Sequence, residues 1–153
     1  MSWQRRSISM SLKVEKIKTE DQLIEAHTIR RQVFVLELNV AATDENDEHE
    51  MTATHFLAHR SGRPVGTARW RFTKDGIKLE RFAVLKEERG NGVGQALVST
   101  VLADIKNTPK STGKLIYLHA QLPAVSLYAK FGFKKVGNIF EECGIKHYQM
   151  ELT

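Results

Sequence analysis

The sequence predicts a mixed α/β or α+β domain built on a sheet of about seven strands with flanking helices. Three observations lead to this fold class. Three strand-like segments follow one another across tight turns between residues 54 and 85, which is typical of antiparallel pairing. A glycine-rich segment then opens a long apolar-periodic helix, and a short apolar strand follows it. Two further strand-like segments close the chain, so the predicted order is β-α-β-β-β-α-β-α-β-β.

The first elements are a strand and a capped helix. "LKVEKIK" alternates apolar and polar residues and predicts a strand from Leu12 to Lys18. Thr19 supplies an N-cap oxygen and Gln22 completes a capping box, so a helix is expected over residues 20 to 34. The apolar face of this helix consists of Leu23, Ala26, Ile29 or Arg30, and Val33. The acidic segment "TDENDEHE", residues 43 to 50, is expected to be a solvated loop.

The middle of the chain predicts the three antiparallel strands. "THFLAHR" and "RPVGTARWRF" are joined by a turn at Ser61-Gly62. A second turn at Lys74-Asp75-Gly76 leads into "IKLERFAVL". Because both connections are short, each strand is expected to pair with the one before it.

The second half predicts two helices and three strands. The helix after the glycines has an apolar stripe formed by Val93, Leu97, Val101 and Ile105. "NTPKSTGK" ends this helix, and "LIYLHA" is typical of a buried strand. Pro123 begins a helix over "PAVSLYAKF", which Gly132 ends. "FKKVG" and "KHYQMEL" are expected to be strands on either side of a turn at residues 141 to 144.

Composition narrows the class of protein. A length of 153 residues predicts a single domain, 1–153, with residues 1 to 10 as a flexible N-terminal extension. Cys143 is the single cysteine, which excludes an internal disulfide and predicts no metal cluster. The polar start "MSWQRRSISMS" has no hydrophobic signal core, and no apolar run is long enough to cross a bilayer. We therefore expect a cytoplasmic protein without a membrane partner.

The net charge of +5 raises the question of nucleic-acid binding. The basic residues are scattered, and they are not interleaved with clustered aromatic residues as in proteins that bind single strands. A solvated basic surface is the preferred interpretation, and no nucleic-acid partner is expected. The same positive field would also favour a polyanionic small ligand.

Three glycines, at positions 90, 92 and 94, stand directly before the second predicted helix. The N-terminus of a helix presents unpaired backbone N–H groups and a partial positive charge, so it binds anions. The spacing is G-x-G-x-G, which fits neither the dinucleotide pattern nor the Walker pattern. By spacing alone, a phosphate-binding turn and a plain strand-to-helix turn both remain open.

Two motifs resolve this choice by resemblance. "Arg89-Gly90-Asn91-Gly92-Val93-Gly94" resembles the R/Q-x-x-G-x-G/A pyrophosphate signature of the Gcn5-related N-acetyltransferase (GNAT) superfamily. Downstream, "AVSLYAKFGFKKVG" resembles the A-x-x-L-Y-x-x-x-G-F segment of the same superfamily. The resemblance covers nearly the whole chain, and "IRRQVFVLEL" and "EECGIKHYQMEL" are similar to a subgroup of small uncharacterised bacterial acetyltransferases.

The resemblance implies a GNAT-like, mostly antiparallel sheet with a V-shaped split between the fourth and fifth strands. It implies acetyl-coenzyme A as co-substrate, with pantetheine held in that split and pyrophosphate on the glycine turn, and no metal. The cofactor-binding residues that it implies are Phe82, Ala83 and Val84 through their backbone, Arg89, Gly90, Asn91, Gly92, Val93, Gly94 and Gln95 in the turn, and Gln121 and Tyr128. Gln121 stands where many members have an asparagine.

The resemblance also implies direct acetyl transfer to a primary amine. Tyr128 lies at the position of the family's tyrosine and is the candidate general acid for the leaving thiolate. Glu80, on the fourth strand, and His119, at the end of the fifth, are candidates for the general base, and a water-mediated base is the alternative.

The acceptor is left open among small amines. Alternatives to the small-molecule enzyme are an acyl-coenzyme A-binding regulatory module without turnover, and a protein-lysine or N-terminal acetyltransferase. Contact of residues 43 to 50 with a cationic acceptor is a further alternative to the solvated loop. Many members of the superfamily are homodimers, so a homodimer is expected through the closing strands.

Overall fold

The computed structural model describes residues 11 to 153, and the extension expected over residues 1 to 10 lies outside the described residues. The strands are β1 (Leu12–Lys16), β2 (Thr54–Arg60), β3 (Arg63–Thr73), β4 (Gly76–Val84), β5 (Ile116–Gln121), β6 (Phe133–Glu142) and β7 (Ile145–Leu152). The α-helices are α1 (Glu20–Arg30), α2 (Ala42–Glu45), α3 (Val93–Lys106) and α4 (Val125–Ala129). A π-helical segment, Arg31–Glu37, extends α1.

The seven strands form one sheet in the order β1-β2-β3-β4-β5-β7-β6. Strands β1 to β4 are antiparallel neighbours, whereas β5 pairs with β4 in parallel. A parallel neighbour needs a crossover connection, and α3 supplies it. The predicted fold class, a mostly antiparallel mixed sheet with flanking helices, is confirmed, and the predicted order of elements changes only by the addition of α2.

Helices pack on both faces of the sheet. On one face, the predicted stripe of α3 is buried against the sheet together with α4, and this is the larger core. On the other face, α1 and the π-helical segment bury Ala26, Ile29 and Val33 against Leu57 and Ala83 of the sheet. The helix that follows the glycine turn, α3, and the helix α1 therefore lie on opposite faces of the sheet.

The capping box of α1 is present as predicted, with the Gln22 N–H donating to the Thr19 hydroxyl at 3.2 Å. The end of this helix differs from the prediction, because a π-helical turn continues it beyond residue 34 to Glu37. The π-helical segment buries the consecutive residues Val33 and Phe34 in the same core as α1.

The prediction of a solvated loop over residues 43 to 50 is wrong. Glu45 is only 7% exposed and forms an ion pair with Arg30, which is 1% exposed on α1. Asp47 and Glu50 both bind Arg69, a fully buried residue of β3. A buried guanidinium requires anionic partners, so the two arginines hold this segment on the sheet.

The last hairpin is longer than predicted. β6 extends to Glu142, well past the predicted end at Gly137, and turns into β7 through Cys143 and Gly144. Both turn residues have positive φ angles, 53° and 75°, as a two-residue hairpin turn requires. An irregular register near Gly137 interrupts the alternation of side chains along β6. The second half of the strand therefore does not continue the pattern that predicted the first half.

Candidate active site

Strands β4 and β5 separate part-way along their length. Their parallel pairing covers three positions and ends at Leu79 opposite Leu118. Beyond that point, among residues 11 to 153, β4 continues to Val84 paired only with β3, and β5 continues to Gln121 paired only with β7. The backbone of each strand therefore faces a gap, as expected for a V-shaped split between the fourth and fifth strands. We call this opening the β4–β5 gap.

Glu80 and His119 are the first residues beyond the last paired position, so they flank the apex of the gap. Leu79 and Leu118 both belong to the core beneath α3 and α4. Since side chains alternate along a strand, Glu80 and His119 lie on the opposite face of the sheet. The structure thus brings the two predicted base candidates to one end of the gap.

A β-bulge bends β4 just beyond the apex. The pairing with β3 shifts between Thr67 and Arg69, and Arg81 of β4 has a φ of 57°, which is unusual for a residue with a side chain. The Arg81 side chain donates to the carbonyl of Glu45 at 3.2 Å and to the Asp47 carboxylate at 3.0 Å. The acidic segment therefore supports the bulge that shapes the gap.

The glycine turn has open space where an anion could bind. Gly90 and Gly92 have φ angles of 80° and 86°, and a Cβ at either position would meet no atom of the described chain within 4 Å. Gly92 is the N-cap of α3 and makes no side-chain hydrogen bond to the first N–H groups of the helix. Those groups have no intrahelical partner, so the turn can accept phosphate oxygens, which fits the pyrophosphate of acetyl-coenzyme A.

The last two signature residues have packing roles as well. Val93 is 1% exposed and its side chain lies in the main core, so only its backbone can face a ligand. A Cβ at Gly94 would approach Leu127 of α4 to 3.2 Å, and thus glycine lets the two helices meet closely. Asn91 and Gln95 are exposed beside the turn, where their roles stay predictions.

Arg89 is engaged by protein groups. Its two terminal nitrogens donate to the Glu37 carboxylate at 2.6 and 2.7 Å, and its Nε donates to the carbonyl of Val84 at 3.0 Å. The hydrogen bonds and the charge of Arg89 lower the pKa of Glu37, and the same pair raises the pKa of Arg89. Arg89 therefore ties the turn to the end of the π-helical segment, and its contact with phosphate stays a prediction.

Two arginines beside the turn, Arg60 and Arg63, were not predicted from the sequence. Glu88 is 7% exposed and accepts from Arg60 at 3.0 Å and from Arg63 at 2.5 Å. Arg60 also donates to the carbonyl of Asn91 at 3.3 Å. These pairs join positions 25 to 28 residues apart, so no local pattern in the sequence indicates them.

Tyr128 lies in α4 with 7% of its surface exposed. Its ring contacts the ring of Phe82 edge-on at 5.8 Å and that of Phe133 at 6.0 Å. Phe82 belongs to the part of β4 that does not pair with β5, so Tyr128 lies against one wall of the gap. Burial raises the pKa of the Tyr128 phenol, so the phenol stays protonated.

The remaining predicted contacts are mostly backbone groups. The Leu85 N–H donates to the Val65 carbonyl in β3, and because directions alternate along a strand, Ala83 turns its backbone groups toward β3 and Val84 turns its own away. Phe82 lies where the register with β3 shifts, and the Val84 carbonyl already accepts from Arg89. Gln121 is the last residue of β5, half-buried and beside the gap. These positions fit an extended ligand that lies along β4. The backbone groups of Ala83 are less accessible to such a ligand, because they point toward β3.

Glu80 is surrounded by cations. Its carboxylate binds the Arg69 guanidinium, accepts from Arg71 at 2.9 Å and lies 3.5 Å from the Lys78 ammonium. Burial alone would raise the pKa of Glu80, but the neighbouring charges outweigh it and the pKa is lowered. A carboxylate so stabilised is a weak proton acceptor, so Glu80 suits the structural network better than the role of base.

In contrast, His119 has a single ionic partner among the residues that the structure describes. Its Nδ1 lies 3.1 Å from the Glu142 carboxylate at the end of β6. The imidazole contacts the Phe140 ring edge-on at 5.0 Å. One ring nitrogen is therefore occupied, and Nε2 has no hydrogen bond to another of residues 11 to 153.

Two other kinds of feature bear on function. Over residues 11 to 153, no helix is both long and apolar enough to cross a membrane. Within the same residues, no group of three or more histidine, cysteine, aspartate or glutamate side chains is arranged to hold a metal ion.

The site geometry agrees with comparisons to known proteins. Residues 16–153 match the family model for the acetyltransferase (GNAT) domain. The uncharacterized N-acetyltransferase YjcF of Bacillus subtilis is 40% identical over 135 residues, which cover 87% of this chain and 94% of YjcF. The crystal structure of Escherichia coli ElaA has a TM-score of 0.80 to this structure at 28% identity, covering 93% of this chain and 99% of ElaA.

A third comparison concerns the fold alone. Arabidopsis thaliana Naa50, in complex with the bisubstrate analogue CoA-Ac-MVNAL, has a TM-score of 0.71 at 21% identity, covering 94% of this chain and 99% of Naa50. The resemblance recognised in the glycine and tyrosine motifs is thus confirmed by the family model and by relatives over most of the chain. The chain belongs to the GNAT acetyltransferase family.

Proposed function

We propose that this protein transfers the acetyl group of acetyl-coenzyme A directly to a primary amine of a small molecule. The observation that carries the proposal is the open glycine turn at the N-terminus of α3, next to the β4–β5 gap. The turn offers backbone N–H groups to a pyrophosphate, and the gap offers the edge of β4 that does not pair with β5 to an amide-containing arm.

The co-substrate supplies an activated acetyl carbon, a thioester. In the transfer, a bond forms between the amine nitrogen and the acetyl carbon, and the bond from that carbon to sulfur breaks. The protein must accept one proton from the ammonium and provide one for the thiolate. Phe82 and Val84 are assigned to binding through their backbone, and Gln121 through its amide.

Tyr128 is assigned as the acid. Its buried, protonated phenol lies against Phe82 at the wall of the gap, where a departing thiolate would be within reach. His119 is preferred to Glu80 as the base, because Glu80 is held by Arg69, Arg71 and Lys78 while His119 keeps one ring nitrogen available.

The test is thiol release from acetyl-coenzyme A with a panel of amines: a polyamine, an amino acid, an aminosugar phosphate, an aminoglycoside and a lysine peptide. An amine-dependent release well above hydrolysis supports the proposal. Tight binding of acetyl-coenzyme A without release by any amine supports a regulatory module. Absence of binding contradicts both. Release with the peptide alone identifies a protein acetyltransferase.

We also propose that the protein works in the cytoplasm as a homodimer. Edge strand β6 is long and exposes Val136 and Ile139, 43% and 46% accessible, which suits pairing with a second copy. Sedimentation at several concentrations tests this: a mass near twice 17.4 kDa is expected, and 17.4 kDa at all concentrations contradicts it.

A further inference from the structure

The pair formed by His119 and Glu142 joins two distant parts of the chain at the apex of the gap. His119 is the first residue of β5 beyond its pairing with β4, and Glu142 is the last residue of β6. β7 lies between these strands, pairing Gln149 with His119. The Nδ1 to Oε2 distance of 3.1 Å therefore spans from β5 over β7 to β6.

Aromatic contacts on the same face hold the imidazole ring. The ring is 20% exposed, and it meets Phe140 edge-on at 5.0 Å and Tyr117 at 6.1 Å. Phe140 is itself stacked on His147 at 5.7 Å with an interplanar angle of 22°. A ring held by one hydrogen bond and two ring contacts has little rotational freedom.

The hydrogen bond selects one tautomer. An ionised carboxylate can only accept, so the proton must be on Nδ1 and Nε2 keeps its lone pair. Glu142 is ionised over the working range, because the hydrogen bond from His119 lowers its pKa to about 2 despite partial burial. The charge of Lys78 of β4 also lowers the pKa of Glu142.

The other charge at the apex is already neutralised. Glu80 of β4 lies beside His119 at the apex, but it is bound by Arg69 and Arg71 of β3. Glu142 is thus the carboxylate that pairs with the imidazole among residues 11 to 153. A base oriented by a third group is the arrangement that general-base catalysis uses elsewhere.

We propose that Glu142 is a positioning residue, which orients His119 so that its Nε2 removes the proton from the acceptor ammonium at the apex of the gap. In this step an N–H bond of the ammonium breaks and the Nε2–H bond forms, while Glu142 stays ionised. The imidazolium afterwards returns its proton to water. The inference rests on the proposed acetyl transfer, and it adds a carboxylate that no local motif indicates.

The first experiment compares Glu142→Gln with Glu141→Gln in the full chain. Glu141 is the neighbouring residue and is exposed on the other face of β6. The substitution Glu141→Gln therefore removes the same charge without changing the contact with His119. With acetyl-coenzyme A and the best amine of the panel, Glu142→Gln is expected to lower kcat about 10-fold, part of the 10²–10⁴ that a general base contributes. The KM for acetyl-coenzyme A should change by less than about 3-fold, since the base does not hold the co-substrate.

A double variant separates positioning from structure. His119→Gln and the double variant His119→Gln/Glu142→Gln should have equal rates, because Glu142 acts only through His119. Equal rates for Glu142→Gln and Glu141→Gln, or additive losses in the double variant, overturn the proposal.

A second readout does not depend on activity. Nitrogen-15 NMR of labelled histidine should show the Nδ1-protonated tautomer for His119 in the wild type and in Glu141→Gln, and a mixture in Glu142→Gln. The Nε2-protonated tautomer in the wild type overturns the proposal even if transfer is observed. If no amine accepts acetyl, the proposed function fails, and the base assignment fails with it whatever the tautomer.

Discussion

The two sides of the β4–β5 gap are built from different kinds of group. On the co-substrate side, the glycine turn and the part of β4 that does not pair with β5 offer backbone N–H and C=O groups. These groups are positioned by residues close to each other in sequence. On the opposite face, the apex is lined by charged side chains whose partners come from distant elements, such as Glu80 with Arg69 and His119 with Glu142. Backbone groups suit a ligand that a whole family shares, because they do not depend on side-chain identity. The side chains on the other face can differ between proteins that use different acceptors.

Among the substitutions that test this comparison, Arg69→Leu is expected to have the largest effect, a loss of stability. Arg69→Leu would leave Glu80, Asp47 and Glu50 without their shared partner, and losing one member of a buried ionic network costs about 3–5 kcal/mol. Chemical denaturation should show this loss. Arg71→Leu is the matched control, since Arg71 is more exposed and its one ion pair within the described part of the chain is with Glu80. Equal stability of Arg69→Leu and the control would mean that the network does not hold the acidic segment.

The same network predicts the acid sensitivity of the fold. Burial opposes ionisation of Glu80, Glu50 and Asp47, but their cationic partners prevail and the pKa of each is lowered in the folded state. Such groups stabilise the fold above their unfolded pKa, about 4, and this contribution is lost as the pH falls through the folded pKa. Urea titrations should therefore show falling stability below about pH 4, with a shallower slope in Arg69→Leu.

Tyr128→Phe tests chemistry on the co-substrate side. It keeps the ring contacts with Phe82 and Phe133 and removes the proton donor, so turnover should fall roughly 10²-fold with little change in affinity. An acetyl thioester with a more acidic thiol should reduce the defect. Tyr148→Phe serves as the control, because it removes a phenol from β7. Unchanged turnover in a folded Tyr128→Phe would exclude the phenol as the acid.

Glu37→Gln is expected to have the smallest effect. Glu37 is a carboxylate close to the turn that would hold phosphate, and its exposed pair with Arg89 contributes only about 0.2–1 kcal/mol. Removing the charge should leave stability almost unchanged and tighten acetyl-coenzyme A binding about 2- to 5-fold, measured by calorimetry. Binding weakened 10-fold or more would show that the pair is needed to shape the turn.

The sequence predicted the local features of this protein well. The Thr19 capping box, the apolar stripe of α3 and the three consecutive antiparallel strands were confirmed, because each depends on residues a few positions apart. The same is true of the family assignment, which rests on two short motifs.

The features that were missed depend on contacts across the sheet. Residues 43 to 50 look like a solvated loop until Arg30 and Arg69 are known to be buried beneath them. Glu37 and Glu142 likewise have no local signal, since their partners lie 52 and 23 residues away. An arginine on the apolar face of a predicted helix, as at position 30, was the one sign that an acidic partner was required.

The most direct test of the central claim, that the turn before α3 binds the pyrophosphate of acetyl-coenzyme A, is calorimetric titration of two glycine variants. Gly92→Glu places a side chain and a negative charge in the open space of the turn, and Gly113→Glu imposes the same change at a φ of 77° with equally open surroundings, beyond the C-terminal end of α3. We expect Gly92→Glu to weaken acetyl-coenzyme A binding more than 10-fold and Gly113→Glu to leave it unchanged. Acetyl-pantetheine, which lacks the pyrophosphate, should bind both variants alike. Equal affinity of Gly92→Glu and wild type for acetyl-coenzyme A would contradict the claim.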